Sequence, residues 1–209
     1  MSHIQRALSR ARGEALGVRG IFILLATLLL TSCGLTGTSP EPRFYTLESQ
    51  APPPAPASAT AYTVVVGPIT IPDIVDRPQI VTRSAENRVE IHEQARWAAP
   101  LKSEIARVVA DHLARALVGA RVVTAEQRAS GAPDYRVVID VQRFDSSDEG
   151  STVQASWSVR TKENPAAVSG RSVATESAGI GHEALVAAHS RALGKIAAEI
   201  AAAIAANKK

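Results

Sequence analysis

Tyr135-Arg136-Val137-Val138-Ile139-Asp140-Val141-Gln142 is the stretch on which the fold turns. Successive side chains of an extended strand point to opposite faces. Tyr135, Val137, Ile139 and Val141 therefore share one face, and Arg136, Val138, Asp140 and Gln142 the other, which marks a half-buried strand. The pattern recurs downstream. Val153, Ala155, Trp157 and Val159 alternate with Gln154, Ser156, Ser158 and Arg160. A third strand of Ser172 to Ile180, after Asn164-Pro165, alternates more weakly. Polar turns join the three, so the reading is an antiparallel meander with one wet face. Asp145, Asp148 and Glu149 fall in the first turn and read as its solvation.

Helices flank the meander. Upstream, Leu101, Ile105, Val108, Val109, His112, Leu113, Ala116 and Leu117 recur at helical spacing after Pro100, with Gly119 as the stop. Downstream, Leu185, His189, Leu193, Ile196, Ile200 and Ile204 mark a stripe on an alanine-rich helix from about Glu183 to Ala206. Further upstream, Gln79 to Arg83 and Arg88 to Glu93 predict a hairpin. The run Tyr62-Thr63-Val64-Val65-Val66 ends at Gly67-Pro68 as another strand. The fold class predicted is α+β: an antiparallel sheet with two amphipathic helices packed on one face.

Before the strand at Tyr62 lies a Pro/Ala-rich stretch over residues 48–61, a surface loop or part of a linker. Arg43-Phe44-Tyr45-Thr46-Leu47 precedes it. Either this aromatic segment joins the domain as a strand, or residues 34–61 form one long linker. Residues 33–42 read as a tether and 43–207 as the domain.

The N-terminal 32 residues look different. Arg6, Arg10, Arg12 and Arg19 stand against one acid, Glu14. An apolar run of about 12 residues then ends in Leu30-Thr31-Ser32-Cys33, where a membrane span needs roughly 20. Basic region, short apolar region and small residues before a cut describe a secretory signal. Leu, two small residues and Cys look like a bacterial lipobox, which makes residues 1–32 a lipoprotein signal peptide and Cys33 the lipidated N-terminus. A transmembrane anchor and an unlipidated secreted protein with a spare thiol are the competing readings.

That reading reshapes the composition. The whole chain carries 23 basic and 20 acidic residues. Removing the signal's four Arg and one Glu leaves 19 of each. The concentrated basic surface that nucleic-acid binding needs is thereby lost. Cys33 is the sole cysteine, so its lipidation leaves no thiol chemistry and no disulfide. No catalytic constellation, metal site or cofactor motif stands out. His182-Glu183 lacks the second histidine of a helical zinc motif, because Val186 stands there. Gly179-Ile180-Gly181 lacks the strand–loop–helix context of a phosphate loop. His112 and His189 fall on apolar stripes, where core histidines belong.

Val66-Gly67-Pro68-Ile69-Thr70-Ile71-Pro72, running into Val75-Asp76-Arg77-Pro78-Gln79-Ile80-Val81-Thr82-Arg83, resembles the ABC-type transport auxiliary lipoprotein family, of the paraquat-inducible protein C type. So do Arg96-Trp97-Ala98-Ala99-Pro100-Leu101 and the lipobox followed by Phe44-Tyr45-Thr46-Leu47. The resemblance implies a non-enzymatic outer-membrane lipoprotein on the periplasmic face. It would serve as the auxiliary, docking subunit of a lipid-transport system with an MCE-domain tunnel protein and an inner-membrane permease. Its partners would be those two proteins, the outer membrane through lipid on Cys33, and further copies of itself. Asp76, Arg77, Pro78, Gln79, Arg83 and Trp97 are the candidate partner surface. The alternative for the arginines is loop solvation, and for Trp97 a place in the core. A lipid-binding carrier and a periplasmic hydrolase are the alternatives.

Overall fold

Alternation does set the middle of the molecule. In the computed structural model, which describes residues 40–49, 62–127, 131–162 and 168–207, three long strands form the expected meander. They are β6 (Tyr135–Ser147), β7 (Gly150–Thr161) and β8 (Val168–Ser177). Ile139 faces Trp157, and Trp157 faces Gly170, in antiparallel register. The third strand starts and ends a few residues earlier than its sequence pattern predicts.

The rest of the chain supplies β1 (Arg43–Tyr45), β2 (Tyr62–Thr70), β3 (Gln79–Ala85), β4 (Arg88–Trp97), α1 (Leu101–Ala116), β5 (Ala120–Thr124) and α2 (His182–Ala206). One sheet has the order β5-β2-β6-β7-β8, and a smaller one β1-β4-β3. From Glu41 onward the chain is one unit.

The α+β class holds, but the large sheet is mixed rather than antiparallel. β2 runs parallel to both β5 and β6. The reason is the crossover: the chain leaves β2, builds the β3–β4 hairpin, returns along α1 and only then enters β5. The sequence carries the matching sign, because Val64, Val65 and Val66 are all fully buried. A strand buried on both faces reads as a continuous apolar run, the habit of parallel strands, rather than as alternation.

α1 and α2 pack against each other. α1 lies over β2 and β5, and α2 over β7 and β8. Leu193, Ile196, Ile200 and Ile204 of α2 are essentially inaccessible. Each such side chain contributes about 1.5–3 kcal/mol by leaving water. Close approach is bought by glycine at two places. A Cβ on Gly170 would sit 2.4 Å from Trp157 Cζ2, and one on Gly194 of α2 would meet the His112 ring of α1 at 2.9 Å.

Candidate partner-binding surface

The turn after β2 is built by Pro72-Asp73. Val75 N–H donates to the Pro72 carbonyl and Asp76 N–H to that of Asp73. This turns Val75 inward and leaves Ile74 exposed. Asp76 pairs with Lys102 in the first turn of α1 at 2.6 Å. Arg77 is half-buried. The Pro78 carbonyl accepts from Trp97 N–H at 2.7 Å, and Gln79 Nε2 donates to Glu93 at 3.1 Å. Asp76, Arg77, Pro78 and Gln79 thus form one continuous strip, with Arg83 four residues further along β3. Trp97 does not share that surface. It is only 6% exposed and meets Phe144 edge-on at 6.2 Å, supporting the strip from beneath.

Arg83 reaches across to β6. Its Nε and Nη2 donate to Asp145 at 3.0 and 3.3 Å, and Arg143 Nε donates to the same carboxylate at 2.6 Å. Asp145 is therefore a strand residue holding two arginines, not part of a solvated turn as its neighbours in sequence suggest. Burial pushes its carboxyl pKa up, but hydrogen bonds and charge from Arg83 and Arg143 outweigh this and hold it below the usual range. Beside the trio lies a groove of about 340 Å³ floored by Val75 and Phe144. Fixed guanidinium groups around an apolar floor suit recognition of a protein surface.

A second groove, of about 590 Å³, runs between β1 and the start of α2. Phe44 forms one wall and is 63% exposed; Val186 and Ala187 form the other. β1 pairs parallel with the end of β4, Arg43 opposite Ala95, and the chain then continues as a strap over α1. Buried Glu104 accepts from Thr46 Oγ1 at 2.7 Å, Leu47 N–H at 2.9 Å and Arg107 at 2.9 Å. Arg107 also donates to the Leu47 carbonyl. Ser190 of α2 accepts from Glu48 N–H at 3.1 Å, and Arg115 donates to Ser49. The aromatic segment is thus part of the domain. Glu104 was hidden in the apolar stripe of α1; a lone carboxylate between Leu101 and Ile105 was the signal that a buried partner awaited it.

Of the histidines on apolar stripes, His189 is a core group, while His112 is half-buried where α1 meets α2. His189 is 1% exposed, stacked on Phe144 at 3.9 Å, and its Nε2 lies 2.8 Å from Ser146 Oγ. Burial pushes its pKa down to about 3. Both members of this Ser–His contact are buried, and His189 Nδ1 has no hydrogen-bond partner. The arrangement lacks the third group that orients a catalytic histidine. Among the described residues, no three His, Cys, Asp or Glu side chains gather as metal ligands, and no helix is long and apolar enough to cross a membrane. Residues 1–39, with Cys33 and the expected signal segment and tether, and residues 50–61 lie outside the described residues.

A family model described as ABC-type transport auxiliary lipoprotein component matches residues 45–201. No curated protein matches the chain. Among solved structures, one described as an uncharacterized protein is similar with a TM-score of 0.67 at 16% identity, covering 79% of this chain and 99% of the other. A Xanthomonas campestris protein of family DUF330 is similar with a TM-score of 0.61 at 20% identity, covering 78% and 96%. At such identities the likeness is one of fold.

Proposed function

Because the chain belongs to the ABC-type transport auxiliary lipoprotein family, whose model spans residues 45–201, we propose that it is the docking subunit of an MCE-domain lipid-transport system. It is held at the periplasmic face of the outer membrane by lipid on Cys33. In this reading it performs no chemistry. It receives the far end of an MCE tunnel whose near end rests on an inner-membrane permease, as proteins of the paraquat-inducible protein C type do by resemblance.

The observation that carries the reading is the built surface formed by Asp76 to Gln79 and the Arg83–Asp145–Arg143 trio. Asp76 is oriented by Lys102 of α1, and Arg83 and Arg143 by Asp145 of β6, while the apolar floor of Val75 and Phe144 is shared with the core. The strap supports it further: the residues that follow the tether are fastened to α1 and α2 by side-chain hydrogen bonds. Two acyl chains suffice for stable anchoring, at about 0.8 kcal/mol per buried methylene.

Mild crosslinking in cells followed by purification tests the docking role. The expected result is co-recovery of an MCE-domain protein with the wild type. Recovery of neither that protein nor a permease, under conditions that capture a control complex, refutes it. Cys33→Ala is expected to move the protein from membrane to soluble fractions; unchanged attachment without acyl label refutes the anchor.

A further inference from the structure

Three candidates stand outside the surface described above: the groove beside Phe44, the exposed Val89 and Ile91 of β4, and a pair of histidines where the small sheet meets α2. The third is specified most fully by geometry. His92 of β4 and His182, the first residue of α2, pack edge to face with ring centroids 4.5 Å apart. Tyr45 of β1 covers His182 at 5.8 Å. Thr82 Oγ1 of β3 lies 2.7 Å from His92 Nε2. All three strands of the small sheet therefore converge on one imidazole pair at the N-terminus of the long helix.

We propose that this contact is a proton-operated latch that holds β1 and β4 against the start of α2 while His182 is neutral and releases them when it is protonated. A charged His182 ring is disfavoured across its 4.5 Å contact with His92. A positive charge on His182 also faces the positive end of the α2 dipole and nearby Arg43. The surroundings give only partial compensation. Glu90 shares a face of β4 with His92 and is 3.9 Å from Arg88. Glu93 is held by Gln79 and Arg96. Glu48 and Glu183 line the adjoining groove with Arg43. The electrostatics agree in direction: burial, then His92, then Arg43 lower the His182 pKa from its ordinary value.

The linkage sign follows. A histidine whose pKa is lowered in the closed form favours that form above its ordinary pKa of about 6.5, and this preference drains as pH falls. If the closed form stays neutral, a single histidine can raise the opening constant up to about 30-fold between pH 7.5 and 5.0. The β1–β4 edge beside α2 would then loosen in mild acid, while β3 stays tied to β6 through Arg83 and Asp145.

Hydrogen exchange on the full-length protein in detergent tests this, with rates corrected for the pH dependence of chemical exchange. Amides of β1, β4 and the first turn of α2 are expected to lose protection by about ten- to 30-fold from pH 7.5 to 5.0, while those of β7 hold steady. His182→Gln and His92→Gln should each flatten the response to under about threefold. His112→Gln, at the α1–α2 contact beside Gly194, should leave it unchanged. Absence of the response in the wild type, or its persistence in His182→Gln, overturns the latch. His182 sits at a half-exposed helix start, so its variant decides the matter even if His92→Gln does not fold.

Discussion

Acidification should expose the cost of burying His189. In the folded protein its imidazole stays neutral down to about pH 3, because burial disfavours the charged form. In the unfolded chain it titrates near the ordinary value of about 6.5. A histidine with a depressed folded pKa contributes stability above its unfolded pKa, and that stability drains as pH falls toward the folded value. At pH 4.5 the unfolded histidine is about 99% protonated and the folded one hardly at all. The linkage relation then gives a loss of about 3 kcal/mol relative to pH 7.5. That is a large share of the 5–15 kcal/mol typical of a domain. Other groups lose stability in the same direction, including Asp145 and Glu176, whose folded pKa values are also depressed. The effect of His189 must therefore be isolated by difference. Urea unfolding followed by tryptophan fluorescence would be compared for the wild type and His189→Phe at pH 7.5, 6.0, 5.0 and 4.5. The variant keeps a ring against Phe144 but strands Ser146, and should begin about 1–3 kcal/mol less stable. The gap should narrow by about 3 kcal/mol by pH 4.5, so that the variant draws level with the wild type or overtakes it. A gap that stays constant across the range would refute the reasoning.

Three further outcomes follow from packing and charge. Gly170→Val places a branched side chain into Trp157 and should cost about 1–3 kcal/mol by overpacking, read as a lowered Tm with a shifted tryptophan emission; an unchanged Tm would contradict the close approach. Glu104→Ala removes the acceptor shared by Thr46, Leu47 and Arg107, and should cost about 2 kcal/mol, since Arg107 is partly exposed and remains solvated. Limited proteolysis should then cut near the strap before the sheet, and a strap as resistant as in the wild type would count against the clamp. Arg83→Ala should raise the Asp145 pKa and reduce capture of the partner, with about 1 kcal/mol or less lost from stability; undiminished capture would remove Arg83 from the docking surface.

The meander, both helices and the hairpin were legible because each rests on a local period: two residues for β6 and β7, and 3.6 for α1 and α2. The sheet's mixed direction was not, because strand direction is set by the path of the connections, here the hairpin and α1 between β2 and β5. Val64, Val65 and Val66 carried a hint in their unbroken apolarity. At the candidate site the Asp76–Arg83 segment was visible as a run, whereas its partner Asp145 was not. Sixty-two residues separate Arg83 from Asp145, and an aspartate followed by Ser146 and Ser147 looks like any polar turn. Trp97 was ambiguous for a similar reason: an aromatic before a helix serves core and interface equally, and only Phe144 decides between them. Glu104 shows the reverse case, in which a polar residue on an apolar stripe announces a buried network without naming its members.

The strap has a mechanical meaning beyond its part in packing. A pull on the chain at Glu41 is taken first by β1, whose bonds to β4 run across the line of force. Parallel ladder bonds loaded along the strand axis must give way together rather than one after another. Behind them, the hydrogen bonds that Thr46, Leu47 and Glu48 donate to Glu104 and Ser190, and that Arg107 donates to Thr46, share the remaining load. The large sheet is thus shielded from strain arriving through the N-terminal side. Rupture under force is governed by the rate of unfolding rather than by equilibrium stability, so these few bonds would set how long the domain survives a tug that its overall stability never registers.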